Sequence, residues 1–407
     1  MLTVRRRELL DLTLSQAVSV GSSVAVTFTT ASFLGTTGRG QLAFTAGVAN
    51  LAGALAFANL HVGAVHAHKQ GDVSAIRRSL SLGAASSSLA LIVGSMVTLG
   101  VHVWGIRAAS PLELAFGTVG ATLVSFNLVV LRIIQGLGNA RGFRIAWTIQ
   151  SAVYAGAGIP AAWETRSAFP VLGCWFLGLV LSTVYAFRQL PPRAAGASVV
   201  PTSSLLKTSL AAHFGTSGIQ LLYRMDLVVL ALYVSRAELG VYSVAVPIAS
   251  MTWLVSEAIS LAAFSTFRPD ESPQVRLRRL VVLLRLNLVV GATGSLILLA
   301  LAWVGLNRLL PTYYDSFRLI AILLPGVVVQ GAARILFSQI TSMGNRRAAI
   351  TIGLASFGLC LLYFPFCARW GATGAALASS LIYILQAIVV VECARRLFAS
   401  QTVRSAA

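Results

Sequence analysis

A chain of 407 residues with a mean hydropathy of +0.81, 57% hydrophobic residues and only 11% charged residues cannot form an ordinary soluble globule. Lipid must solvate most of its surface; about 20 apolar residues cross a hydrocarbon core of about 30 Å, and the long continuous runs here exclude a membrane barrel of short alternating strands. A net charge of +19 would suggest nucleic acid in a soluble protein, but its placement points to the membrane, and no nucleic-acid partner is expected.

Six apolar stretches precede a break. Leu9 to Leu34 follows Arg5, Arg6 and Arg7, and Gln41 to Val65 follows the single Arg39 and leads into Lys69, Arg77 and Arg78. Leu80 to Trp104 and Leu112 to Leu137 flank Arg107, and Arg141 and Arg144 come next. Phe143 to Trp163 and Ala168 to Phe187 flank Arg166. The segment "QLPPRAAGASVVPTSS", from Gln189, cannot continue either neighbouring helix because of its prolines, and reads as a linker bordered by Arg188 and Lys207.

Six more stretches follow. These are Leu205 to Val234, Leu239 to Phe264, Leu280 to Leu306, Phe317 to Ile340, Ala348 to Phe366 and Ala372 to Cys393. Their loops alternate between the single Arg236, Arg308 and Arg369 and the clusters at Arg268 to Arg279, Arg346 and Arg347, and Arg395 and Arg396. Basic loops stay in the cytosol, so both termini are expected there, in a cytoplasmic membrane. The first stretch lacks a small-residue cleavage site and reads as retained.

The second half repeats the first. Gly40 pairs with Gly240, Arg77 and Arg78 with Arg278 and Arg279, Gly105 and Pro111 with Gly305 and Pro311, Arg107 with Arg308, Arg132 with Arg334, and Gly138-Asn139 with Gly344-Asn345, at offsets drifting from 200 to 206. The expected architecture is all-α and integral to the membrane. About twelve transmembrane helices form two six-helix bundles, residues 1–190 and 205–407 joined by the linker 191–204. Six passes per half make the repeat parallel, which puts a transport site between the bundles.

Short loops leave no room for a soluble catalytic domain, and no phosphate-loop, H-E-x-x-H or G-x-S-x-G motif is present, so no enzyme and no cofactor is expected. Cys174, Cys360, Cys367 and Cys393 fall in apolar stretches as reduced packing residues, and His61, His66 and His68 lack the carboxylate or cysteine companions of a metal site.

A charge near the bilayer centre costs roughly 3 kcal/mol, so ionisable residues inside the stretches carry the information. Arg132, Arg285, Arg318 and Arg334 lie within a few turns of a stretch end, where snorkelling and a cavity role are both open. Arg132 and Arg334, as repeat mates, could form one basic mouth. Arg224 and Asp226 lie deeper and, two residues apart on a helix, point away from each other. An interhelical salt bridge and a solvated substrate path both satisfy them. Glu257 is a candidate partner or protonation site.

The segments "FLGTTGRGQLAF", "QGLGNARGF" and "LLYRMDLVVLALYVSRAELGVYSVAVPIASMTWLVSEAI" are similar to bacterial Wzx-type polysaccharide flippases, a branch of the multidrug/oligosaccharidyl-lipid/polysaccharide exporter superfamily. That resemblance implies a V-shaped, MATE-like pair of bundles around a cationic cavity. Its substrate would be a polyprenyl-diphosphate-linked oligosaccharide, its partners membrane lipids and the polysaccharide polymerase and chain-length machinery, and its driving ion a proton or sodium. Arg224 and Asp226 fall on the family's R-x-D positions; Arg132, Arg285 and Arg334 join the candidate cavity by depth and sign alone, and Asp226 and Glu257 are the coupling candidates. The alternatives are a drug-cation antiporter of the same superfamily, which would want an acidic cavity, and a membrane glycosyltransferase or polymerase, which would lack the repeat.

Overall fold

The structure is a computed structural model, and it describes residues 2–103, 109–191, 200–254, 256–257, 259, 273–343 and 345–406. Gly105, Arg107, Arg193, Arg268 and Gly344 lie outside them, as do the side chains of Arg5, Arg6 and Arg7. Among the described residues the elements are helices, which suits lipid because a helix satisfies its own backbone polar groups. The first half comprises α1 (Leu2–Ala56), α2 (Leu60–Lys69), α3 (Ala75–Val103), α4 (Pro111–Gly136), α5 (Ala140–Thr165) and α6 (Ala168–Arg188). In the second half come α7 (Thr202–Leu222), α8 (Met225–Leu230), α9 (Arg236–Ser250), α10 (Pro273–Leu309), α11 (Ser316–Ser342), α12 (Arg346–Leu359) and α13 (Tyr363–Ala406).

Seven helical runs are long and apolar enough to cross a membrane, and two of them, Gly21–Lys69 and Arg346–Phe398, have 49 and 53 residues, about twice what one crossing needs. Each is interrupted by a glycine in the left-handed region, Gly35 (φ 65°) and Gly371 (φ 53°), where a side chain would be strained. Each of those two runs is long enough to cross twice, and α5, α7, α8 and α9 are shorter or less apolar helices beside the seven.

Three stretches differ from their predicted outlines. The helix resumes directly after Gly35, earlier than Gln41, and breaks again before α2, where Ala58 and Asn59 adopt φ 49° and 47°. The seventh stretch breaks at Tyr223 and Arg224, and in the first turn after the break the Asp226 carboxylate accepts the backbone N–H of Leu227 at 2.8 Å. The eighth breaks after Ser250.

Repeat-related positions do related work. Asn139 caps α5 by accepting from Gly142 N–H at 2.8 Å, and Asn345 caps α12 by accepting from Ala348 N–H at 3.0 Å. The buried cores also sort by half: apart from Ala31, Ala43 and Phe44, the largest cluster draws on residues after 220, while the cores around Leu172, Ile133 and Ile134 lie wholly in the first half.

The halves meet at two levels. At the arginine-poor end Gly40 faces the backbone of Arg236 and Gly240 faces the backbone of Thr36, so closely that a Cβ would lie 1.8 and 1.9 Å from the opposing carbonyl oxygens. At the basic end Gly63 of α2 donates its N–H to the Ser209 hydroxyl of α7 at 3.2 Å, and Leu205 packs with Ala67 and Ala75.

Candidate functional site: a cationic cavity between the halves

Between those two contact levels lies a cavity of about 570 Å³. Its lining comes from α1 and the break after it (Asn50, Phe57, Asn59), α4 (Asn127, Arg132, Gln135), α5 (Trp147, Gln150), α6 (Trp175, Leu179) and α7 with the following break (Thr216, Gln220, Arg224). No aspartate or glutamate is among the described lining residues.

The two arginines are held differently. Arg132 donates to the Gln135 amide oxygen at 2.7 Å and lies 6.0 Å from the Phe143 ring, and His61 lines the same cavity. Arg224 is exposed at the break after α7, and its side chain makes no hydrogen bond or ion pair among the described residues. Thr216 holds Asn59 of the first half through a hydrogen bond, and Arg224 is eight residues, about 12 Å of helix rise, further along. The cations thus occupy two depths, Arg132 nearer the basic end and Arg224 nearer the middle.

Asp226 points elsewhere. It is 1% exposed and accepts from the Tyr242 hydroxyl at 2.8 Å; Tyr242 also meets Ser379 at 3.2 Å, and Ser379 meets Tyr363 at 3.1 Å. This chain of hydroxyls ties four segments of the second half together, away from the cavity lining.

Arg334 forms an ion pair with Glu257 at 2.6 Å and lies 4.9 Å from the Trp253 ring and 5.4 Å from the Tyr223 ring. The side-chain partner of Glu257 is Arg334, whereas Arg132 bonds to Gln135 instead. Arg285 emerges beside exposed Val281, Val282, Leu288 and Val289, on an apolar face where snorkelling is its outlet. Arg132 and Arg224 therefore share the cavity, and Glu257, Arg334, Asp226 and Arg285 are not part of its lining.

Sequence reasoning missed the polar groups that seal the arginine-poor end. Arg39, taken as a loop cation, is 7% exposed and donates to Thr30 at 3.1 Å, to Thr27 at 3.4 Å and to the Ser243 carbonyl at 3.5 Å. Arg236 makes a two-point pair with Glu113, at 3.0 and 3.1 Å, and stacks 4.2 Å above Phe44. Glu113 had a signal, since Ser110 and Glu113 form the S-x-x-E capping box at the start of α4.

At the basic end Asp72 is fully buried. It pairs with Arg78 and accepts from the backbone N–H of Val200 at 3.0 Å, while Arg78 also donates to the Val200 carbonyl at 2.7 Å, which fastens the end of the linker to the first half. Burial pushes the Asp72 carboxyl up, but hydrogen bonds from Ser74 and Val200 and the Arg78 charge outweigh it and hold the group below the ordinary carboxylate value.

No protein-family model matches the chain, and no curated protein matches it in sequence. Solved structures do. The chain aligns with an inward-facing multidrug resistance MATE family transporter of the MOP superfamily at a TM-score of 0.66 and 13% identity, covering 93% of this chain and 95% of that one. It aligns with the lipid II flippase MurJ in an inward closed conformation at a TM-score of 0.73 and 12% identity, covering 96% and 90%. A third match is a MOP superfamily transporter from Pyrococcus furiosus, described by the reversed polarity of its binding pocket, at 0.58 and 13%, covering 97% and 96%. The fold is that of the MOP superfamily transporters. Those neighbours are membrane transporters, and this chain is a multi-pass membrane protein of the same architecture.

Proposed function

We propose that the protein is a flippase that moves a polyprenyl-diphosphate-linked oligosaccharide across a bacterial cytoplasmic membrane by alternating access. Residues 1–190 and 205–407 are its two lobes and 191–204 the linker. The carrying observation is the pair Arg132 and Arg224 on a cavity without a carboxylate among its described lining residues. Guanidinium groups stay charged, so the cavity is complementary to an anion bringing two negative charges, and a diphosphate matches their forked donors. A transporter of drug cations would want the opposite sign.

On this reading the basic end faces the cytosol, by the charge asymmetry of the loops, and the sealed, arginine-poor end faces outward. Arg334 belongs to the mouth of the path, and any proton or sodium coupling runs through the membrane-embedded carboxylates Asp226 and Glu257. The test is removal of the gene followed by extraction of lipid-linked glycans. Diphosphate-linked repeat units should accumulate on the cytosolic leaflet while surface polysaccharide disappears; intact surface glycan with altered drug tolerance would overturn the reading in favour of an antiporter.

A further inference from the structure

The cavity is chemically divided. Arg132 and Arg224 lie on α4 and at the break after α7, whereas α5 and α6 contribute Trp147, Gln150, Trp175 and Leu179. On α5, Phe143, Trp147 and Gln150 follow at helical spacing along one face, and the Phe143 ring lies 5.8 Å from the Trp147 ring and 6.0 Å from the Arg132 guanidinium. The row therefore starts beside one cation with two aromatic rings and ends at an amide, about 10 Å of helix rise from Phe143 to Gln150.

Close packing aims this wall. Gly178 of α6 sits against the Gln150 backbone, where a Cβ would lie 2.8 Å from the Gln150 carbonyl oxygen, so α6 approaches α5 there and brings Trp175 to the same surface. Most cavity amides are already engaged: Asn127 donates to α6, Asn50 to the Ala46 carbonyl, and Gln135 accepts from Arg132. Gln150 and Gln220 make no hydrogen bond among the described residues. An amide offers a donor and an acceptor side by side, which suits adjacent hydroxyls, and an indole face suits the C–H face of a pyranose ring.

We propose that the α5–α6 wall is a glycan subsite, in which Trp147, backed by the buried Trp175, stacks on the sugars nearest the diphosphate and Gln150 and Gln220 pair with their hydroxyls. The inference rests on the flippase reading and deepens it, since it assigns recognition of the sugar to side chains separate from those that hold the diphosphate.

The experiment compares three probes on the purified full-length protein by native mass spectrometry: bare polyprenyl diphosphate, and the same lipid bearing one neutral hexose or one N-acetylhexosamine. Wild type should hold at least one glycosylated lipid about tenfold more tightly than the bare lipid, an advantage of about 1.4 kcal/mol. Trp147→Ala and Gln150→Ala should each bring the ratio towards one while leaving the affinity for bare lipid unchanged. Trp147→Phe, which keeps a smaller face, should fall between and serves where the alanine variant does not fold. Arg224→Ala should weaken all three probes alike. A wild-type ratio of one, or wall variants that weaken bare lipid as much as glycosylated lipid, overturns the subsite alone. Failure of wild type to bind any of the three overturns the flippase reading with it.

Discussion

Arg224 and Asp226 are two residues apart yet face different surroundings, and their substitutions should separate accordingly. Arg224 projects into the cavity without a partner, so Arg224→Ala should abolish export while the detergent melting temperature stays within about 2 °C of wild type, as for a surface change. Arg224→Lys should restore part of the activity, because a point charge still attracts phosphate without the bidentate fork. Asp226 is locked to Tyr242 in the core, and Asp226→Ala would leave that hydroxyl with only Ser379, a loss of about 1 to 3 kcal/mol that melting should register directly. Parallel loss of export and stability in Arg224→Ala would move that residue into the scaffold.

At the scale of elements, closure at the arginine-poor end depends on backbone proximity. A methyl group at Gly40 or Gly240 cannot fit against the opposing carbonyl, so Gly40→Ala should force α1 and α9 apart at the arginine-poor end. Ser243 is 2% exposed at this crossing. A Ser243→Cys reporter, with the native cysteines replaced, should resist an impermeant maleimide added outside and become reactive once Gly40→Ala is introduced. Glu113→Gln, which weakens the pair with Arg236, should act in the same direction and more weakly. Unchanged labelling in both variants would show that other contacts hold the seal.

The linker fastening at the opposite end has a pH signature. Because folding lowers the Asp72 pKa from its ordinary 3.8, the pair with Arg78 contributes in full above that value and is lost as the pH falls through the lower, folded value. Proteolysis of the linker in inside-out vesicles should therefore be slow and flat at neutral pH and rise only in strong acid. Asp72→Asn should make it fast at every pH, and a neutral-pH dependence in wild type would assign the linker's hold to another group.

For the whole molecule, the proposed twelve-pass topology with cytosolic termini predicts that cysteines at Thr37, Ser167 and Asn307 react from outside and those at Ser74, Ser198 and Gln274 from inside; the reverse pattern would invert the assignment of both ends. Hydropathy made the all-helical membrane fold legible, because lipid imposes continuous apolar runs whatever the partners. The paired asparagines Asn139 and Asn345 both cap helices, as matching positions would. What escaped is three-dimensional pairing. The polar chain from Asp226 to Ser379 spans positions far apart in sequence, and Arg39 looked like a loop residue until the helix was found to resume just after Gly35. Depth alone grouped Arg285 with Arg132 and Arg224; only the helix face distinguishes them.

The crossing of Gly40 and Gly240 has the symmetry of a dimer contact. Position 40 meets the backbone of 236 while position 240 meets the backbone of 36, the reciprocal pattern by which two identical subunits touch across a two-fold axis. Within one chain the two matching positions are free to differ. Position 36 is a threonine with a small hydroxyl, and position 236 is the arginine that reaches Glu113, a bond that an identical pair of subunits would have to make twice or not at all.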